Sequence, residues 1–283
     1  MSLILVTGAT GTVGAEVVNA LRLKPVQVRA VVHSTAKAGK LKASNVQLVE
    51  ADYVKRETLA ATFQGVERLF LLTPFVREQV DMGKLLVDLA KKAGVRHIVK
   101  LSAVGAEFEP GIQLGRWHRE VEKYIEASGI PYTHLRPCSF MQNFIQYFKP
   151  QKGSIFLPWG KGKTALIDAR DIGAVAAQVL TDNKFLGKAL TLTGPQALSG
   201  DEVAAILSKA TGKPMTYLDM PEDAAFAAMK NIGLPTWAMD ALMELHALTK
   251  AGFAAGITNT VKQVLGREPI RFEQFAKDHS KLF

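Results

Sequence analysis

The chain has 283 residues, 48% of them apolar and 22% charged, enough to bury a substantial core and ordinary for a soluble globular protein. Its net charge is +9, yet acidic residues interleave with most of the cations and no basic stripe or nucleic-acid reading motif stands out, so no nucleic-acid partner is expected. No apolar run approaches the roughly 20 residues a membrane-crossing helix needs, and one cysteine, Cys138, excludes an intrachain disulfide framework.

A reducing, cytoplasmic setting is expected from that cysteine, and with a strand read as beginning at Leu3 no charged leader is expected. Strands are predicted at Leu3–Thr7, Gln27–Val32, Val46–Glu50, Arg68–Leu72, His97–Ser102 and Tyr132–Arg136. Helical patterns lie between them, near Val13–Leu23, Arg56–Phe63, Glu78–Ala93 and Arg116–Ser128. Strand and helix alternating this way imply parallel strands with crossover helices, hence an α/β Rossmann-type doubly wound parallel sheet. After Pro137 the rhythm changes. "CSFMQNFIQYFKPQKG" is aromatic-rich, "TALIDARDIGAVAAQVL" reads as a short strand leading into a helix, "KALTLTG" as a strand, and 200–283 as mainly helical. Residues 1–150 are therefore read as a coenzyme-binding domain to which about 164–194 returns. Residues 195–283, with 138–152, are read as a smaller, mainly helical portion covering a substrate at the sheet's carboxyl edge.

The stretch "LILVTGATGTVG" sets Gly8, Gly11 and Gly14 between the first strand and the first helix. A tight turn, close approach of a pyrophosphate and close helix-on-strand packing each require a residue without Cβ. The helix that opens at Thr12 and Val13 then offers N–H groups and a positive dipole end to phosphates. The hydroxyls of Thr7, Thr10 and Thr12 are added as donors. The second strand ends in His33-Ser34-Thr35, without the carboxylate that grips an NAD ribose, and Lys37, Lys40 and Lys42 follow. A 2′-phosphate would suit those groups, so NADPH is the expected coenzyme, with His33 and Lys37 at its phosphate and NADH left open.

"VTGATGTVG", "EADYVKRETL", "LLTPF", "KLSAVGA" and "HREVEKYIEASGIPYTHLRP", in this order and spacing, resemble the NmrA-like group of atypical short-chain dehydrogenases/reductases. The likeness continues through "IDARDIGAVAAQVL" to "VLGREPIRFEQFAKDH". It implies an NADPH-dependent oxidoreductase passing hydride to a quinone, an azo dye or a triarylmethane dye. The group also contains non-catalytic NADP(H)-binding redox sensors, which is the alternative. The resemblance further implies Asp52 and Tyr53 beside the adenine. It places Thr73 and Pro74 near the pyrophosphate and nicotinamide ribose, and Ser102 and Ala103 near the nicotinamide.

The Tyr-x-x-x-Lys device of the wider superfamily is absent: Tyr53, Tyr124, Tyr147 and Tyr217 have no lysine four places on, and Tyr132 is followed by Arg136 in a predicted strand. Instead, His118 and Glu122 are spaced to share a helix face, beside a buried stripe of Trp117, Val121 and Ile125. His118 is a candidate proton donor whose tautomer Glu122 would hold, and Ser102 joins them in the catalytic set. Phe75, Phe140, Asn143 and Phe144, with Tyr147 alongside and Trp159 behind, are the candidates for an aromatic pocket around a flat small-molecule acceptor. Cys138 is expected to be buried and unreactive, no metal is expected, and a homodimer is left open.

Overall fold

The structure is a computed structural model and describes residues 1–53 and 55–283. It divides into two compact units, the first made of 1–109, 115–136 and 169–191, the second of 110–114, 137–168 and 192–283.

The first unit is built on a seven-stranded sheet. Its strands are β1 (Leu3–Val6), β2 (Gln27–Val32), β3 (Val46–Glu50), β4 (Arg68–Leu71), β5 (His97–Leu101), β6 (Tyr132–Pro137) and β7 (Lys188–Leu192), in the order 3-2-1-4-5-6-7. β1 through β6 pair in parallel. Four helices cross between successive strands or follow them: α1 (Thr12–Leu21), α2 (Arg56–Thr62), α3 (Gln79–Lys92) and α4 (Gln113–Ala127). α5 (Ala169–Thr181) packs on α1, where a Cβ on Gly173 would lie 2.5 Å from the Glu16 carbonyl carbon. The strands are mainly apolar because helices cover both faces, and Leu5, Leu69, Leu71 and Ile98 are fully buried in one core with Leu59, Leu86 and Ile125. The chain reverses order at β1, which has β2 on one side and β4 on the other; such a switch point opens a crevice at the strands' carboxyl ends.

β6 ends at Pro137, and the segment that follows it belongs to the second unit. In that unit Ser154–Leu157 pairs in parallel with Thr216–Asp219, and Lys163–Thr164 pairs antiparallel with Leu198–Ser199. The helix Gly200–Thr211 starts on a capping box: Ser199 Oγ accepts from Glu202 N–H at 3.2 Å and Glu202 Oε2 accepts from Ser199 N–H at 2.7 Å. Among the described residues no helix is long and apolar enough to cross a membrane.

Phe144 does not line an open pocket, as the sequence suggested. It is fully buried, with edge-on ring contacts to Phe148, Trp159 and Phe272 at centroid distances of 5.7, 6.1 and 5.5 Å. It is core because three aromatic neighbours from separate segments close around it. Trp159 is core too, its indole N–H donating to His246 Nδ1 at 2.9 Å. Tyr147 is 76% exposed. Phe144→Ala should therefore cost about 3–5 kcal/mol of stability in a urea titration followed by tryptophan fluorescence; a loss under about 1 kcal/mol would contradict the core assignment.

Candidate active site

The glycine turn follows from contacts that no other residue allows. Gly8 leaves β1 at φ +62°, and a Cβ there would lie 2.5 Å from Leu72 Cδ2. Gly11 N–H donates to Gly8 O at 3.0 Å and Gly11 is the N-cap of α1. A Cβ on Gly14 would lie 2.1 Å from Gly8 O, so only glycine lets the first turn of α1 sit this close to the loop. That first turn carries no acidic side chain and no side-chain cap, which leaves the positive end of the helix for an anion. Thr10 and Gly11 are exposed there; Val13 is buried, so it can serve a phosphate only through its N–H. Thr7 departs from expectation. It is fully buried, its Oγ accepting from Leu72 N–H at 2.8 Å and lying 2.9 Å from Leu72 O, so it stitches β1 to the end of β4.

Beside the turn lies a cavity of about 140 Å³, bounded by Gly8 and Thr10, by Val31–His33 at the end of β2, and by Ala51–Tyr53 past β3. The structure thus brings Gly8, Thr10, His33, Asp52 and Tyr53 together. Tyr53 is fixed by its hydroxyl, which donates to Leu72 O at 3.2 Å, and Asp52 by its N–H on Thr58 Oγ1 at 3.1 Å. His33 and Lys37 are exposed at the rim and just beyond it. One neighbour escaped the sequence reading. Glu50 ends β3 opposite Val32, and its Oε1 accepts from the N–H and hydroxyl of Thr35 at 2.6 and 2.8 Å. Those bonds, the N–H first, hold its carboxyl below the usual range.

Farther along the carboxyl edge, Thr73 and Pro74 follow β4 and are half-buried, and Phe75 beside them is 43% exposed. Ser102 and Ala103 follow β5. Ser102 is buried, its N–H donates to Leu135 O at 2.7 Å, and its Oγ finds no partner of good geometry among the described residues. The hydroxyl nonetheless lies near enough to Glu122 to help hold that carboxylate ionised. A buried hydroxyl left over at this edge suits a polar group on a ligand.

His118 and Glu122 do share α4, but they are not partners. Glu122 is fully buried and gripped by Arg136, Nε to Oε1 at 3.0 Å and Nη2 to Oε2 at 2.7 Å, with Arg119 Nη1 on Oε2 at 3.0 Å. Burial pushes its pKa up, but the Arg136 hydrogen bonds, with His134, Ser102 and the Arg136 charge behind them, bring it down to about 2. His118 Nδ1 instead lies 2.9 Å from Lys100 Nζ. Burial first, then the Lys100 charge, pushes the His118 pKa well down. The expected tautomer control by Glu122 is thus corrected: two arginines saturate that carboxylate. Trp117 is half-buried, and Glu122 takes a place in the buried face with Val121 and Ile125. Glu122, Glu126 and His134 lie close enough to suggest a cation site, but Arg119 and Arg136 already neutralise the carboxylates. In the second unit, Phe140 is half-buried and bridges to Ile167, and Asn143 Nδ2 donates to Ser139 Oγ at 3.2 Å. Cys138 is buried and its thiol pushed up by burial.

Removing Arg136 would leave the buried Glu122 charge with Arg119 alone. Arg136→Met should cost about 3–5 kcal/mol at pH 7 in a urea titration. Glu122 in the intact protein titrates below its unfolded value, so its stabilisation is present above about pH 4.5 and is lost as pH falls toward 2. The gap between the two proteins should accordingly narrow on acidification; a pH-independent gap would contradict the pairing.

The profile of the NmrA-like family matches residues 1–268. The chain is 42% identical to the NAD(P)H azoreductase of Xenophilus azovorans, over 99% of each. The quinone oxidoreductase 2 structure of Escherichia coli complexed with NADPH superposes with a TM-score of 0.86 at 30% identity, covering 98% of this chain and 99% of that one. The Citrobacter sp. triphenylmethane reductase complexed with NADP(H) gives 0.84 at 25% identity, covering 99% and 100%. The chain belongs to the NmrA-like family.

Proposed function

We propose that this chain is an NADPH-dependent reductase that passes hydride to a flat conjugated acceptor, such as a quinone, an azo dye or a triarylmethane dye. One observation carries it: the Gly8–Gly14 turn aims an uncapped helix start at a cavity flanked by His33 and Asp52, in a chain similar end to end to named reductases. Bound there, NADPH supplies the hydride. The chain's own residues bind and orient. The first turn of α1 and the hydroxyls of Thr10 and Thr12 face the pyrophosphate. Asp52 and Tyr53 flank the adenine, and His33 with Lys37 serves the 2′-phosphate. Glu50 lies close to that corner but is engaged by Thr35, which leaves room for NADH as a second coenzyme. Thr73, Pro74, Ser102 and Ala103 take the nicotinamide end, with the Ser102 hydroxyl as a hydrogen-bonding group. Phe75 offers an apolar face to the acceptor, and His118 a proton.

Such acceptors are already electrophilic, so positioning them over the hydride donor does most of what catalysis needs. This accounts for the missing Tyr-x-x-x-Lys. Purified protein mixed with NADPH and a panel of quinones, azo dyes and cationic triarylmethanes should consume the coenzyme, read at the reduced-nicotinamide absorbance band. Tight NADPH binding without turnover on any member would overturn the reductase reading and favour a redox sensor.

A further inference from the structure

Lys100 sits in the middle of an apolar strand, between Val99 and Leu101, and is 1% exposed. An ammonium buried in this way is costly unless it is paired and hydrogen-bonded. Its polar contacts are His118 Nδ1 at 2.9 Å and Leu101 O at 3.0 Å. Glu122, the nearby carboxylate, is bound by Arg136 and Arg119, so Lys100 has no direct ion pair among the described residues. As an ammonium, Lys100 only donates, so in that state His118 Nδ1 accepts and the ring proton sits on Nε2. His118 remains partly exposed, whereas Lys100 is sealed behind it.

We propose that Lys100 and His118 form a proton relay that completes the reduction of acceptors needing a proton as well as a hydride. This rests on the reductase reading above. For a quinone, hydride addition brings two electrons and leaves a hydroquinone anion. The His118 Nε2–H bond breaks as the acceptor O–H bond forms; in the same step a Lys100 Nζ–H bond breaks and an Nδ1–H bond forms. The imidazole stays neutral throughout, with its tautomer exchanged and Lys100 left as an amine. To reset, Nε2 takes a proton from water and Nδ1 returns its own to Lys100, so water never has to reach the buried amine. The net reaction consumes one quinone, one NADPH and one proton. The groups facing Lys100 are His118 and Glu122 from α4 and His134 and Arg136 from β6. Burial, against the pull of Glu122 and with the push of Arg136, brings its pKa down to about 7, suited to giving and taking a proton in neutral solution.

A cationic triarylmethane dye separates the relay from hydride transfer, because hydride alone converts the cation to its neutral leuco form. Lys100→Met keeps most of the side chain's length and removes the buried charge. The ratio of quinone to dye turnover with NADPH should fall tenfold or more in this variant. Lys100→Arg should not restore it, since a guanidinium keeps its protons at any working pH. In the unmodified protein, D2O should slow quinone reduction more than dye reduction, which tests the relay even if the variants fold poorly. A ratio within twofold of the unmodified protein's, or equal solvent isotope effects, overturns the relay alone. If the unmodified protein consumes NADPH with neither acceptor, the reductase reading falls and takes the relay with it.

Discussion

The approach of Gly14 to the Gly8 carbonyl is the constraint on which the coenzyme end depends. A single Cβ at Gly14 would overlap that oxygen, at 2.1 Å, and push α1 away from the loop. Because it is absent, the helix starts directly over the end of β1, the strand at which the sheet reverses order. The positive end of α1 is therefore held at the switch-point crevice by backbone packing, without a charged side chain. Thr7 reinforces the arrangement from below by tying β1 to the residue that follows β4.

A second organisation lies under β5 and β6. Lys100, Glu122, His134 and Arg136 are charged or titratable, and all are buried or nearly so. Glu122 and Arg136 neutralise each other with bidentate geometry, the strong form of a charge-assisted pair. Lys100 and His118 are the pair that charge balance does not explain, which is why chemistry is the better account of them. On the proposed relay the site separates two tasks: backbone and dipole serve an anionic coenzyme, and a sealed amine behind a histidine serves the proton.

The parallel sheet was legible because short, mainly apolar runs alternate with helical patterns, and the glycine turn was legible because its three positions answer three separate steric demands. What the sequence concealed depends on pairing between distant segments. Glu50 reaches Thr35 only because β2 and β3 align Val32 with Glu50. Lys100 lay unremarked inside the predicted strand His97–Ser102, and its surroundings come from α4 laying His118 against it. Helical spacing correctly put His118 and Glu122 on one helix, yet could not reveal that Arg136, set aside as a strand residue, would claim the carboxylate. The aromatic run after Pro137 could not distinguish core from cleft, because Phe272, far along the chain, is what closes over Phe144.

The central claim is that the turn after β1 cradles the diphosphate of a pyridine coenzyme. Isothermal titration of the full chain with NADPH and with NADH measures it directly. The account predicts saturable one-to-one binding with NADPH the tighter ligand. Absence of heat and of affinity for either coenzyme, reduced or oxidised, would contradict it.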